Sequence, residues 1–522
     1  MRWSADIPAG PWTVPTALDA APTLPGIARW VLPNLAAAVF VVALAHVLVV
    51  SEGTRTLFRD SDAGWHIRNG ERILDSGAIP RSDSFSYTRA GREWFAWEWL
   101  SDVALGAVHR AAGLPGVALA ASLAIAGTAL AACAFALRLG ANFFGVAIGA
   151  LFLLGTTSIH WLARPHVFSW LLALAFVAVA ESAAGFSGSS ARRLKPAPLW
   201  TLLALAALWA NLHGSFLLAP VILATYAVGS LLHRQRLAAR RLAGAALLSF
   251  LATFLNPYGW RLHQHVLAYL QNDYLMDRIS EFRSFSFHHP GAWYVEGFLL
   301  IAAAGAVLAL RRGEYPRFLL ALGLIHAGLY SARHLPTAAV VLLPLALATI
   351  TAELRDHGRG RWRQFLDYSD RLVAWDRSLT GAAPIAAAVL LAAAGLALLP
   401  ANKVGFDRET FPVAAADYFQ GREAAVRLFA RDQWGGYLIY RFEGKLKVFV
   451  DGRSDFYGND FLERYATVAD LRPGWDRILD VERVSHVLVR PDQALAQALH
   501  QDSRWRVARA DAAAVIFERV GG

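Results

Sequence analysis

Five short polar motifs stand out from an otherwise apolar chain: Asp60-Ser61-Asp62-Ala63-Gly64-Trp65-His66, Arg164-Pro165-His166, Asn211-Leu212-His213-Gly214, Asn256-Pro257-Tyr258-Gly259-Trp260-Arg261 and Arg333-His334. Two carboxylates two residues apart suit acid–base work, one of them taking a proton from an attacking nucleophile. Arginine's planar fork matches phosphate geometry, so Arg164, Arg261 and Arg333 are candidates for holding a phosphate group. His66, His166, His213 and His334 add imidazoles. Each motif also has a quieter reading. Asp60 or Ser61 serves as a helix cap, and lone arginines anchor to lipid headgroups. A helix over Ala63 to Leu74 would put Trp65, Ile73 and Leu74 on a face lying on a membrane surface. Asp60, Asp62 and His66 are close in sequence, but their spacing matches no zinc or iron signature. No metal ligand is assigned, and a divalent ion stays open.

The elements that position these motifs are apolar. Of 522 residues 56% are hydrophobic and only 17% charged, against a soluble norm of roughly 45–50% and 25%; mean hydropathy is +0.37. This excludes a disordered chain and argues against a wholly soluble one. Apolar blocks fall at about 30–50, 116–137, 141–160, 166–184, 198–211, 216–232, 242–256, 293–310, 317–331, 335–352 and 381–400. They predict a polytopic α-helical membrane protein of about eleven transmembrane helices. Residues 1–29 read as a flexible leader. The first block starts too late and runs too long for a cleaved signal peptide. The segment Trp99 to His109 reads as a short interfacial helix. The lone Cys133 excludes an intrachain disulfide and a cysteine-based metal site.

Basic residues crowd alternate short loops, such as Arg192, Arg193 and Lys195, Arg234 to Arg241, and Arg355 to Arg363. That places the N-terminus in the cytoplasm and the C-terminal tail outside. The polar motifs then share the exterior ends of the helices, beside a large first exterior loop at 52–99. The tail, 401–522, balances 18 basic against 18 acidic residues, so the net charge of +10 belongs to the membrane half and gives no support to nucleic-acid binding.

The tail has the composition of a soluble α/β domain. A helix is expected over Phe411 to Arg431. Strands are expected at Tyr437 to Phe442 and Lys445 to Asp451, around a Glu443-Gly444 turn, and at Val484 to Val489 and Ala513 to Phe517. Helices are expected near 460–471 and 492–500. Asp451-Gly452-Arg453 reads either as a binding loop or as a glycine turn closed by a local ion pair.

The Asp-x-Asp-x-x-Trp-His loop, with residues 77–87, Trp94 to Leu100, the Arg164-Pro165-His166, Asn211-Leu212-His213-Gly214 and Asn256-Pro257-Tyr258-Gly259 motifs and the Asp451-Gly452-Arg453 tail, resembles bacterial multispan proteins assigned to the GT-C glycosyltransferase superfamily. The resemblance covers about residues 30–520. It implies a transmembrane domain at 30–400, an exterior (periplasmic) domain at 401–522, and residence in the bacterial cytoplasmic membrane. The implied activity moves a sugar from a polyprenyl-phosphate donor to an exterior glycan, lipid or protein acceptor, without nucleic acid. Asp62 would be the general base, with Asp60 and His66 beside it. Arg164, Arg261 and Arg333 would hold the lipid phosphate. His166, His213 and His334 would contact sugar hydroxyls, and Trp65, Trp94 and Trp97 would stack on the sugar. The chain lacks the Trp-Trp-Asp-Tyr-Gly motif of oligosaccharyltransferases, which argues against a peptide acceptor, and the adjacent Asp-Glu pair of protein mannosyltransferases. The rival readings are a transporter or lipid flippase and a non-catalytic scaffold; the one-sided charge and the lack of an internal repeat count against transport.

Overall fold

The computed structural model describes residues 26–50, 52–185, 199–400 and 403–521. Most of the expected leader, and the basic loop residues Arg192, Arg193 and Lys195, lie outside the described residues. Every apolar block falls on a helix: Leu35–Ala45, Trp99–Arg138, Phe143–Ser158, His166–Ala184, Leu199–Leu212, Leu218–Leu232, Arg236–Ala252, Ala292–Arg311, Tyr315–Tyr330, Leu335–His357 and Ala382–Leu398. Five helical segments among the described residues are long and apolar enough to cross a membrane, namely Trp99–Arg138, His166–Ala184, Gly214–Leu232, Ala292–Arg311 and Ala332–His357. The other apolar helices are shorter. Local caps set several starts. The Asn34 and Asn142 side chains accept hydrogen bonds from the Ala37 and Gly145 amides at 2.8 and 2.7 Å, satisfying donors that a helix start leaves free.

Leu335–His357 is the central rod, packed by Ala292–Arg311, Phe143–Ser158 and Trp99–Arg138. Small residues let helices approach in an apolar medium, where no hydrophobic drive separates protein from lipid. A Cβ on Gly305 would lie 2.4 Å from Ala346 Cβ. The Trp99–Arg138 helix is two rods joined at a break, where Ala112 and Gly113 leave helical geometry and Gly113 takes φ 60°. The expected short helix after Trp99 is the first of these rods. It lies against the Asp62–Ser76 helix, where a Cβ on Gly70 would fall 1.7 Å from the Asp102 carbonyl oxygen. Asp62–Ser76 is mostly buried between this rod and the tail, which corrects the surface-lying alternative.

Residues 403–521 carry a four-stranded sheet, β1 (Leu428–Ala430), β2 (His486–Val489), β3 (Trp505–Ala510) and β4 (Val515–Arg519), in the order β1-β2-β4-β3. β1 and β2 run parallel; β4 is antiparallel to both β2 and β3. β2, β4 and the helices Asn459–Ala469 and Ala494–Gln501 match expectation. Three readings are corrected. Phe411 to Arg431 is not one helix but short helical turns followed by β1. Tyr437 to Phe442 is not a strand: it belongs to the helix Asp432–Arg441, whose end is marked by Glu443 and Gly444 at positive φ. A short, continuous apolar run does not distinguish strand from helix by periodicity. Lys445 to Asp451 is not a strand either: it bends at Leu446 and Phe449, and only Val448 makes isolated bridges, to β1 at Leu428 and to the first loop at Ser86.

The first loop and the tail share one core. Trp65, Phe85 and Trp94 pack with Phe411, Trp434, Leu438 and Leu446. A Cβ on Gly64 would meet the Gly436 carbonyl oxygen at 2.3 Å, and one on Gly436 would meet that of Ser61 at 2.2 Å, so glycine on each helix permits backbone contact.

Within the bundle, Arg317 is buried with Glu181 (2.6 Å), Glu314 (2.8 Å) and Thr349 (3.0 Å), while the Tyr226 hydroxyl donates to Glu181 at 2.7 Å. Removing the cation leaves two buried carboxylates uncompensated. Arg317→Ala is expected to cost about 3–5 kcal/mol, read as a lowered midpoint of thermal unfolding in detergent.

Candidate active site

Three segments meet at Arg164, which sits in the turn between Phe143–Ser158 and His166–Ala184. Its Nη1 donates to Asp60 Oδ2 at 2.6 Å, its Nη2 lies 3.1 Å from Asp62 Oδ2, and Nη1 is 3.9 Å from Glu281 Oε2. Asp60 also accepts the Asp62 amide at 2.9 Å, so it both caps the helix start and pairs with the guanidinium. Burial works against the Arg164 charge, but Asp60, Asp62, Glu281 and Glu98 outweigh it and hold the guanidinium firmly protonated. Glu281, from the segment between Arg236–Ala252 and Ala292–Arg311, also binds Arg333 Nη1 at 2.7 Å and His160 at 3.1 Å. Burial would raise its carboxyl, yet Arg333 first, then His160 and Arg164, hold it well below the usual range.

Asp62 differs. Burial, reinforced by Asp60 and Asp451 against the opposing pull of Arg164, pushes its carboxyl up to about 8. A carboxyl with that affinity is suited to accept a proton near neutral pH. The tail closes directly over it: a Cβ on Gly452 would fall 1.9 Å from Asp62 Oδ1. Beside Gly452, Arg453 is pinned by Asp451 (2.7 Å) and by Asp83 of the first loop (2.8 Å), with the Trp94 ring 4.5 Å from its guanidinium carbon. The local Asp451–Arg453 ion pair is present, and it also fastens the tail to the first loop.

These groups line a cavity of about 920 Å³ between the bundle, the first loop, residues 269–283 and the tail. Asp60, Asp62, Trp65, Trp94, Trp97, Arg164 and Arg333 all reach it. His66 lies behind Trp65, whose ring stacks on it with centroids 3.6 Å apart. Burial drives the His66 imidazole down to about 3, so it is neutral. His166, His213 and His334 are not on the wall. His166 Nε2 donates to the His160 carbonyl at 2.8 Å, and His334 faces the Ala327 carbonyl. Arg261 is away from the cavity, half-exposed on Glu93 at 2.8 Å with its guanidinium over Phe95. It was expected among arginines placed to hold a phosphate, and it does not line the cavity. Sequence reasoning missed Glu98, Asp102 and Glu281. Glu98 and Asp102 carry a signal, being acids in the aromatic and apolar run 94–105; Glu281 carries none.

Among the described residues no group of three or more histidine, cysteine, aspartate or glutamate side chains is arranged to hold a metal. The positive charge between Asp60 and Asp62 is a guanidinium.

No protein-family profile and no curated protein matches the chain. Solved structures do. The oligosaccharyltransferase of Archaeoglobus fulgidus without ligand aligns with a TM-score of 0.54 at 14% identity, over 87% of this chain and 69% of that one. AglB from the same organism, with an inhibitory peptide and a dolichol-phosphate, gives 0.54 at 13% over the same shares. The chain shares the fold of these two structures. ArnT from Cupriavidus metallidurans bound to undecaprenyl phosphate aligns at 0.47 and 15% identity, over 93% of this chain and 98% of that one. In this chain the acidic pair of the first loop stands at the bundle's polar end under the tail.

Two outcomes check this geometry. Gly452→Ala forces Asp62 or the tail to shift and is expected to cost about 1–3 kcal/mol by overpacking, whereas Gly127→Ala, with open space at its Cβ, leaves the unfolding midpoint unchanged or raised. The Asp62 carboxyl binds its proton more tightly folded than unfolded, so its contribution to stability is lost as pH rises from about 4 to about 8. Asp62→Asn is therefore expected to gain more in melting temperature over the native protein at pH 8 than at pH 5.

Proposed function

We propose that this chain is an integral-membrane glycosyltransferase that moves a sugar from a polyprenyl-phosphate donor to an exterior acceptor. The observation that carries the reading is the cavity itself, with Asp60 and Asp62 bridged by Arg164, Arg333 held close by through Glu281, and aromatic walls at Trp65, Trp94 and Trp97. Such a donor demands that combination. Its tail needs an apolar bundle, its phosphate needs fixed cations, and its sugar needs hydrogen-bonding groups and ring faces. The dolichol-phosphate bound by AglB, a structure of the same fold, agrees in kind.

The reaction then follows from the groups present. A nucleophilic hydroxyl of the acceptor attacks the anomeric carbon while the bond from that carbon to the phosphate oxygen breaks, the electron pair leaving with the phosphate. The Asp62 carboxylate takes the hydroxyl proton as the new bond forms. Arg164 and Arg333 meet the growing negative charge on the departing phosphate. Asp60 holds Arg164 in place and keeps Asp62 basic. In this reading the eleven apolar helices all cross the bacterial cytoplasmic membrane, the N-terminus is cytoplasmic, and the first loop and residues 401–522 face the periplasm, where a glycan, lipid or protein acceptor arrives.

The test is consumption of polyprenyl-phosphate sugars by purified protein with membrane extract. Asp62→Asn is expected to lower the rate about 10²–10⁴-fold without loss of folded protein, and Arg333→Ala to lower it as well. Unchanged consumption by Asp62→Asn would remove this residue from the chemistry. With Asp62 as base, the native rate is expected to climb about tenfold per pH unit and level off above about 8.

A further inference from the structure

Glu98 ends the first loop and immediately precedes the Trp99–Arg138 helix. It reaches the cavity wall with its side chain 10% exposed. Nearby carboxyls are held by a cation or by hydrogen bonds: Asp60 and Asp62 by Arg164, Glu281 by Arg333, Asp451 by Arg453. Glu98 instead faces two imidazoles at the limit of contact, His66 Nε2 at 3.7 Å from Oε2 and His213 Nε2 at 3.5 Å from Oε1.

The hydrogen-bond partners of the two rings fix which nitrogen of each faces Glu98. His66 Nδ1 is 2.5 Å from Asp102 Oδ1, and the second Asp102 oxygen accepts from Asn69 Nδ2 at 2.6 Å. His66 therefore turns its Nε2 toward Glu98, and that Nε2 is fully buried and has no hydrogen-bond partner. His213 is likewise held from its Nδ1. Its Nδ1 accepts the Ser215 amide at 3.3 Å and lies 2.9 Å from Ser169 Oγ, which accepts from Trp209 Nε1 at 2.9 Å. Its proton therefore sits on Nε2 and points at Glu98. Burial keeps His66 and His213 neutral and raises the Glu98 carboxyl. The niche thus offers a carboxyl flanked by two neutral imidazoles, with the His213 donor turned toward it.

We propose that Glu98, fixed between His66 and His213, is the binding subsite for hydroxyl groups of the transferred sugar. A hydroxyl both donates and accepts, so it can satisfy a carboxyl and an imidazole at once. Such a contact discriminates strongly because a buried polar group left unpaired costs more than the pair gains. Glu98 touches the sugar; His66, Asp102 and His213 are positioning residues.

The inference rests on the transferase reading, and binding separates the two. Full-length protein in detergent is titrated, by tryptophan fluorescence, with polyprenyl phosphate alone and with polyprenyl-phosphate glucose. Native protein is expected to bind the glucose form at least about tenfold tighter than the bare lipid phosphate. Glu98→Ala is expected to erase the increment due to glucose while leaving bare lipid-phosphate affinity unchanged, which also shows that the variant is folded. Glu98→Gln, which keeps a donor and an acceptor, is expected to retain most of it. An undiminished increment in Glu98→Ala, or no increment for glucose in native protein, overturns the subsite while the transferase reading stands. No binding of any lipid phosphate by native protein overturns both.

Discussion

Arg164 is the charge around which the polar end of the molecule is organised. One guanidinium faces three carboxylates delivered by distant parts of the chain: Asp60 and Asp62 from the first loop, and Glu281 from the segment before Ala292–Arg311. Their mutual repulsion in a buried setting would force the segments apart without a shared cation. Arginine suits this task better than lysine, since its planar fork serves several acceptors at fixed angles. Burial beside Asp60 and the longer contact to the guanidinium leave Asp62 with an affinity for protons that Glu281 lacks.

The same end depends on absent side chains. Gly452 lets the tail descend onto Asp62, and Gly64 and Gly436 let two helices touch through their backbones. Arg453 then ties Asp451 to Asp83 across the seam. The cavity is consequently bounded by pieces that cannot be repositioned one at a time.

Much of this was legible from residue types alone. The apolar blocks announced the helices because a run of some twenty apolar residues has few other fates. The Asp60–Asp62 motif and Arg164 were conspicuous, being ionisable groups beside apolar segments. Arg261 does not line the cavity, because a motif names a residue but not the direction of its side chain. Tyr437 to Phe442 misled because burial on all sides erases periodicity, and the helix there is enclosed by the first loop and the tail. Glu281 was invisible: its meaning comes only from His160, Arg164 and Arg333, each far away in sequence.

The core shared by Trp65, Phe85 and Trp94 with Phe411 and Leu446 has a consequence for biogenesis. The first loop leaves the ribosome roughly three hundred residues ahead of the segment that covers it, so those aromatic rings must wait exposed while the remaining helices are inserted. Contacts of such long sequence separation form late and slowly. Maturation of this protein is thus paced by its last hundred residues, and a chain truncated before them would be left with an uncovered, adhesive surface that cellular quality control can recognise.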